Sequence, residues 1–259
     1  MSKKMKLILI IALSLITCLV SAFFLLRYLS GEERRYINYE TYTIDPDTIL
    51  QDLITGKKDV FILQEEFPDT PIGEPVEWRV EDYELITKAF HEFTSGESLV
   101  NWKLNGYVFT WDCEYFDKGP QQAYFVYFKV EKTRGRKSRF VSNVIINPRW
   151  NIVGGGLLEY YPRLDHWGAI DTTKSISEED TLNIAEINGG NQFRVSVDNQ
   201  CEIRAAYFPG ASMGYKGWEV DYSNSSLGLE EIYHIDPKTG ELVDIHYIDS
   251  KDGEVEVEK

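Results

Sequence analysis

The strongest constraint on the fold is a succession of short runs rich in aromatic and β-branched residues, each closed by a turn signal. They fall at 107–116, 123–131, 139–147, 151–155, 193–197, 201–208, 217–223, 231–236 and 241–247. Runs of this length and composition are strands, and connections of a few residues between them favour antiparallel pairing. Segments of helical spacing interrupt the pattern. Tyr83, Ile86, Phe90 and Phe93 make one apolar stripe over 81–94, which Gly96 can terminate. Ser177, with Asp180 three residues on, is a capping signal; Leu182 and Ala185 then supply an apolar face, and Gly189-Gly190 predicts the stop. A short helix over 48–55 ending at Gly56 is also expected.

Two strand pairs are joined by the same chemistry. Ile235-Asp236-Pro237-Lys238 and Ile146-Asn147-Pro148-Arg149 each carry an apolar strand into Asx-Pro-basic and out into another strand. The Asx side chain bonds onward along the backbone and Pro sets φ for the next position. Cys113-Glu114 precedes the first of these turns by nearly the same distance as Cys201-Glu202 precedes the second. These echoes predict two copies of one unit. The expected fold class is α+β: an N-terminal transmembrane helix followed by two tandem helix-plus-antiparallel-sheet units. The expected boundaries are 1–27 for an anchor or signal, 28–76 for a stalk and irregular lead-in, 77–165 and 166–250 for the units, and 251–259 for a charged, frayed tail. The Gly-rich run 153–160 reads as a flexible corner between the units.

Residues 7–26, `LILIIALSLITCLVSAFFLL`, contain no charge. As a helix they would span about 30 Å, the thickness of a bilayer core. Lys3, Lys4 and Lys6 before them predict a cytoplasmic N-terminus and an extracytoplasmic body. A cleaved signal ending near Ala22, or lipid attachment at Cys18, would give the same compartment. Residues 1–27 hold four Lys and Arg and no acid, so the remainder carries −19 against −15 overall. So acidic a body is unsuited to nucleic acid, whose phosphates need compensating cations. Outside the cytoplasm, Cys113 and Cys201 are candidates for a disulfide; two separate buried thiols are the alternative.

The capped helix, the strand `GWEVDY` and the hairpin `YHIDPKTGELVDI` together resemble a PepSY-type domain over residues 177–246. Trp218, Asp236, Thr239, Gly240 and Glu241 stand in that family's places. Residues 77–165 resemble a diverged copy, with Trp150-Asn151 in place of Thr-Gly. The resemblance implies cystatin-like α+β units and an extracytoplasmic, non-catalytic module of the kind found in metalloprotease propeptides and envelope proteins. It brings no catalytic residues.

The residues themselves point to little chemistry. Of the four histidines, His91 begins `HEFTS`, which lacks the second His of a zinc-protease helix. His234 and His246 are twelve apart across a hairpin and could face one another, but two histidines without a third ligand make a weak site. `DNQCE` and `DSKDGE` lack calcium-loop spacing, and 153–160 lacks the Lys-Ser/Thr of a phosphate cradle. `KTRGRKSR`, 132–139, reads as a solvated hairpin tip that could also touch acidic envelope polymers or lipid headgroups. No cofactor, metal or catalytic residue is expected. The expected function is recognition of an envelope or secreted protein, with a peptidase as one candidate partner and the membrane contacted through residues 7–26. Trp218, Tyr222 and Tyr233 are the candidate partner surface, although the residues do not settle which face is core and for Trp218 a core role is the favoured reading. A carboxylate hydrolase or binder of envelope glycans and a small-ligand sensor are the competing classes.

Overall fold

The computed structural model describes residues 33–57, 59–64, 68, 70–133, 136–161, 169–170, 175–208, 217–250 and 254–258. In chain order they form β1 (Glu33–Thr43), α1 (Ile49–Ile54), β2 (Ile62–Leu63), α2 (Val80–Ser95), β3 (Lys103–Asp112), β4 (Gln122–Thr133), β5 (Arg136–Asn147) and β6 (Ile152–Tyr161). There follow α3 (Glu178–Ala185), α4 (Asn191–Ser196), β7 (Glu202–Phe208), β8 (Gly217–Asn224), β9 (Leu229–Ile235), β10 (Leu242–Asp249) and β11 (Glu254–Glu258). The strands make one sheet in the order β11-β10-β9-β8-β7-β3-β4-β5-β6-β1-β2, antiparallel throughout.

This corrects the expectation of two tandem units. β3 and β7, the first strands after α2 and after α3–α4, pair with each other from Tyr107↔Tyr207 to Asp112↔Glu202. A free four-stranded meander would leave a row of unpaired N–H and C=O groups at that edge, and the pairing satisfies both edges together. The core is continuous as well. A single row of register partners, Tyr42–Val153–Ile146–Ala123–Phe109–Ala205–Val220–Tyr233–Ile245, crosses nine strands. Every member is buried in one hydrophobic cluster, which also takes in Tyr83, Ile86 and Phe90 of α2 and Leu182 and Ala185 of α3. The two cysteines are not in equivalent places either: two strands separate Cys113 from Pro148, and three separate Cys201 from Pro237.

Among the described residues, no helix is long and apolar enough to cross a membrane. The run 7–26 lies outside them. Several local expectations change. The proposed stalk contains β1, which pairs with β6 over ten positions. The proposed tail contains β11, paired with β10. The Gly-rich run is not a corner but the middle of β6. A Cβ on Gly155 would stand 2.2 Å from the Asn143 carbonyl oxygen and 3.0 Å from the Phe90 ring, so glycine is what lets α2 lie close over the sheet.

The helix from Ser177 is capped as its sequence suggests, the Ser177 hydroxyl accepting from the Asp180 N–H at 3.1 Å. It does not stop at Gly189-Gly190, however. Gly189 takes φ +141°, a wide turn forms over Glu186–Gly190, and the chain continues as α4. The run 193–197, expected as a strand, is therefore mostly helical. Phe193 and Val197, four apart, both reach the core, a spacing that suits a helix as well as a strand's apolar composition suits a sheet.

Candidate functional site

The three aromatics proposed as a partner surface are core residues. Trp218, Tyr222 and Tyr233 are each 0 % exposed. They point to the helix side of the sheet, where Trp218 stacks on Tyr207 at 5.1 Å and Tyr222 meets Tyr233 edge-on at 5.5 Å. Burial of such large apolar rings stabilises by about 2–3 kcal/mol each, and that outweighs any reason to leave them on the surface. The Tyr222 hydroxyl donates to Glu186 at 2.8 Å and the Tyr233 hydroxyl to Glu231 at 2.7 Å, so burial leaves neither without a partner.

Cys113 and Cys201 are brought together. Their sulfurs are bonded at 1.99 Å, and the Cys113 N–H donates to the Cys201 carbonyl at 3.0 Å. The disulfide lies beside a cleft of about 620 Å³, bordered by Trp111, Asp112, Gln122, Asn147, Trp150 and Glu202 among others. Pro71 forms part of its wall. That Pro-rich segment is held there by Ile72 and Gly73, whose N–H groups both donate to the Arg149 carbonyl at 2.8 Å, and by Gln121, which bonds both the N–H and the carbonyl of Val76. Arg149 itself lines the cleft, pairing with Asp112 at 2.9 Å and lying over Tyr115 at 5.3 Å. Asn147 donates to Gln122 at 3.1 Å. Two buried atoms of the lining, Asn147 Oδ1 and Arg149 Nε, have no hydrogen-bond partner among the described residues. Glu202, opposite Asp112 in the β3–β7 register, has its carboxyl raised above the usual range by partial burial and by the Asp112 charge, against the pull of Arg204.

The sheet face opposite the helices carries a second polar constellation. Alternation along β8, β9 and β10 sends Val220, Tyr233 and Ile245 inward and their neighbours outward. Register then sets Glu219, His234 and Asp244 in one row across three strands. His246, two residues beyond Asp244, shares their face. His234 Nδ1 lies 2.6 Å from Asp244 Oδ1, and His246 Nε2 lies 3.1 Å from the same oxygen. The rings meet edge-on with centroids 4.9 Å apart. His234 Nε2 is 3.6 Å from Glu219 Oε2, and Arg204 donates to Glu219 Oε1 at 3.0 Å. Glu219 and Asp244 raise the proton affinity of His234, while burial opposes them. Beside this group, Asp221 is pushed up to about 7 by burial and by the Glu230 charge, Arg204 opposing.

The sequence places His234 and His246 at a hairpin but does not supply Asp244. The missing signal was the register of β9 and β10, which sets Asp244 directly across from His234. His91 plays no part in either place: it lies on the buried face of α2 with Nδ1 2.8 Å from the Ser142 hydroxyl. In the basic tip, Arg139 is 2 % exposed and lies over the Phe128 ring at 4.9 Å, so that member of the cluster is not solvated. Compared with known proteins, the chain matches no family model and no curated protein sequence.

Proposed function

We propose that this chain is an extracytoplasmic, non-enzymatic binding module that takes a segment of an envelope or secreted protein into the cleft beside the disulfide. The observation that carries the reading is the cleft itself: a concavity of about 620 Å³ with indole rings, amides and an Arg–Asp pair along its walls, held by a covalent crosslink. Aromatic and amide side chains around a rigid concave floor suit an extended peptide, which offers backbone donors and acceptors and side chains for shallow pockets. The crosslink supports an oxidising compartment. The resemblance of 177–246 to PepSY-type domains makes a peptidase a reasonable partner.

The test is capture from the envelope and secreted fractions of the source cells on the full-length chain, run beside Arg149→Ala and Trp150→Ala. A protein retained by the wild type and lost from both variants, at unchanged melting temperature, is the expected result. Equal retention by all three would remove the cleft from the reading. A second reading rests on the facing carboxylates Asp112 and Glu202, one paired with Arg149 and the other with raised proton affinity, the division of labour a carboxylate hydrolase uses. Release of sugars from envelope polysaccharide by the wild type but not by Glu202→Gln would favour it over the binding module.

A further inference from the structure

We propose that His234, Asp244 and His246 form a mononuclear site for a divalent transition-metal ion of the zinc class. The proposal is independent of the cleft, since none of the three residues lines it.

The first argument is convergence. One ligand atom from each residue lies within 4.8 Å of the other two. The closest approaches, 2.6 and 3.1 Å, both end on a single carboxylate oxygen. A surface histidine that only balances a carboxylate needs one such contact; here two imidazoles are aimed at one point. Around a tetrahedral ion with bonds of about 2.0–2.1 Å, neighbouring ligand atoms stand about 3.3 Å apart. To reach that spacing each imidazole nitrogen opens from the carboxylate oxygen by less than about 1 Å, while the two imidazole ligand atoms, within 4.8 Å of each other, close toward one another, within the freedom of partly exposed side chains.

The second argument is the support behind the ligands. With Nδ1 of His234 on the ion, its Nε2–H is left for Glu219, 3.6 Å away. Glu219 is in turn held by Arg204 at 3.0 Å. A carboxylate on the far nitrogen of a ligating imidazole sets its tautomer and ring orientation and makes the ligating nitrogen more basic. The row Arg204–Glu219–His234 supplies this from strands β7, β8 and β9, whose register is pinned by the buried row on the other face.

The third argument is chemical type. Two imidazoles and one carboxylate suit zinc(II) and the neighbouring divalent first-row ions, and are a poor set for calcium, which takes six or more oxygens. Three protein ligands leave a fourth position for water or an external donor. The side chains of His234, Asp244 and His246 are 14, 21 and 28 % exposed, so an ion has a path in from solvent. The surrounding Glu219, Asp221 and Glu230, in a chain of net charge −15, draw cations toward the face.

The test uses the full-length chain freed of metal with a chelator. It is titrated with zinc chloride against a chromophoric indicator, and separately with cobalt chloride. The expected result is one equivalent of zinc per chain, a rise in melting temperature on addition, and visible cobalt bands of the intense tetrahedral type. Asp244→Asn and His246→Gln should each weaken zinc binding by about 100-fold or more. Glu219→Gln should weaken it by about 10-fold while preserving the stoichiometry, as expected of a group acting through His234. Melting temperatures measured in chelator establish that each variant is folded. The proposal is overturned if the wild type takes up no stoichiometric zinc or cobalt. It is equally overturned if Asp244→Asn and His246→Gln, folded in chelator, bind zinc as the wild type does.

Discussion

Lowering the pH from about 7.5 to about 4.5 should weaken the fold through His91. The ring is 0 % exposed, with Nδ1 2.8 Å from the Ser142 hydroxyl of β5, Nε2 3.2 Å from the Ser95 hydroxyl, and the Trp102 ring edge-on at 4.7 Å. Burial lowers its pKa from 6.5 to about 4; Glu97 and Glu92 pull it up and Lys129 pushes it down, but these charges do not offset the loss of water. In the unfolded chain the imidazole takes a proton as the pH falls through about 6.5, while in the folded chain it stays neutral to about 4. The contribution of neutral His91 is therefore intact above the unfolded value and lost progressively as the pH falls from 6.5 towards 4. Each tenfold difference in proton affinity between the two states is worth about 1.4 kcal/mol, so at a pH near 4.5 the loss reaches about 2.5 kcal/mol, a large part of the 5–15 kcal/mol typical of a domain. Urea unfolding followed by tryptophan fluorescence at a series of pH values, wild type against His91→Gln, isolates this group from the other carboxylates and histidines. The variant starts less stable at neutral pH, but its stability should fall less on acidification, by about 2.5 kcal/mol across that range. Parallel curves for the two proteins would refute the reasoning.

Other perturbations act elsewhere in the sheet. The Cys113–Cys201 crosslink spans 88 residues and should stabilise by about 4–5 kcal/mol on loop-closure grounds; intact mass with and without reductant checks the bond, and two free thiols in protein made under oxidising conditions would contradict it. Gly155→Ala should cost about 2–3 kcal/mol in chemical denaturation, because its Cβ would meet the Asn143 carbonyl at 2.2 Å and force β6 off β5; a neutral variant would show that the strands can part there freely. Asp221 is raised to about 7, so its contribution is fully present only below its unfolded value of 3.8 and is lost as the pH rises through about 7. Asp221→Asn should accordingly raise the melting temperature near pH 8.5, with a gain that shrinks towards pH 5; the same gain at both would count against a titrating cause.

Much of the local structure was legible in the residues. The stripe of Tyr83, Ile86 and Phe90 gave a helix because a 3.6-residue period puts those side chains on one face, and Gly96 ended it in the left-handed conformation at φ +69°. Alternation in `GWEVDY` separated Trp218, Val220 and Tyr222 from Glu219 and Asp221, and the structure keeps that separation. What alternation could not say is which set faces the core, since both faces of an antiparallel strand look alike until something packs on one of them. That ambiguity turned three core aromatics into a proposed partner surface. It also hid the one face that gathers His234, Asp244 and His246. The Gly-rich run 153–160 misled for a related reason: glycine marks a turn in sequence, but here it marks a helix lying close over a strand.

The sequence by itself determined most of the strand and helix segments between 81 and 247, the acidic body and the pairing candidates Cys113 and Cys201, because these follow from residues within a few positions of one another or from overall composition; β1, β11 and the helical run 193–197 escaped it. Only the tertiary structure decided that the strands make one sheet, that the cleft closes beside the disulfide, and that Asp244 joins the two histidines. Each of these depends on which strand edges pair and in what register: β3 with β7, whose flanking cysteines are 88 positions apart in sequence, and β9 with β10 around a hairpin. Register is set by the burial of a whole row of side chains together, and no single run of the chain contains that row.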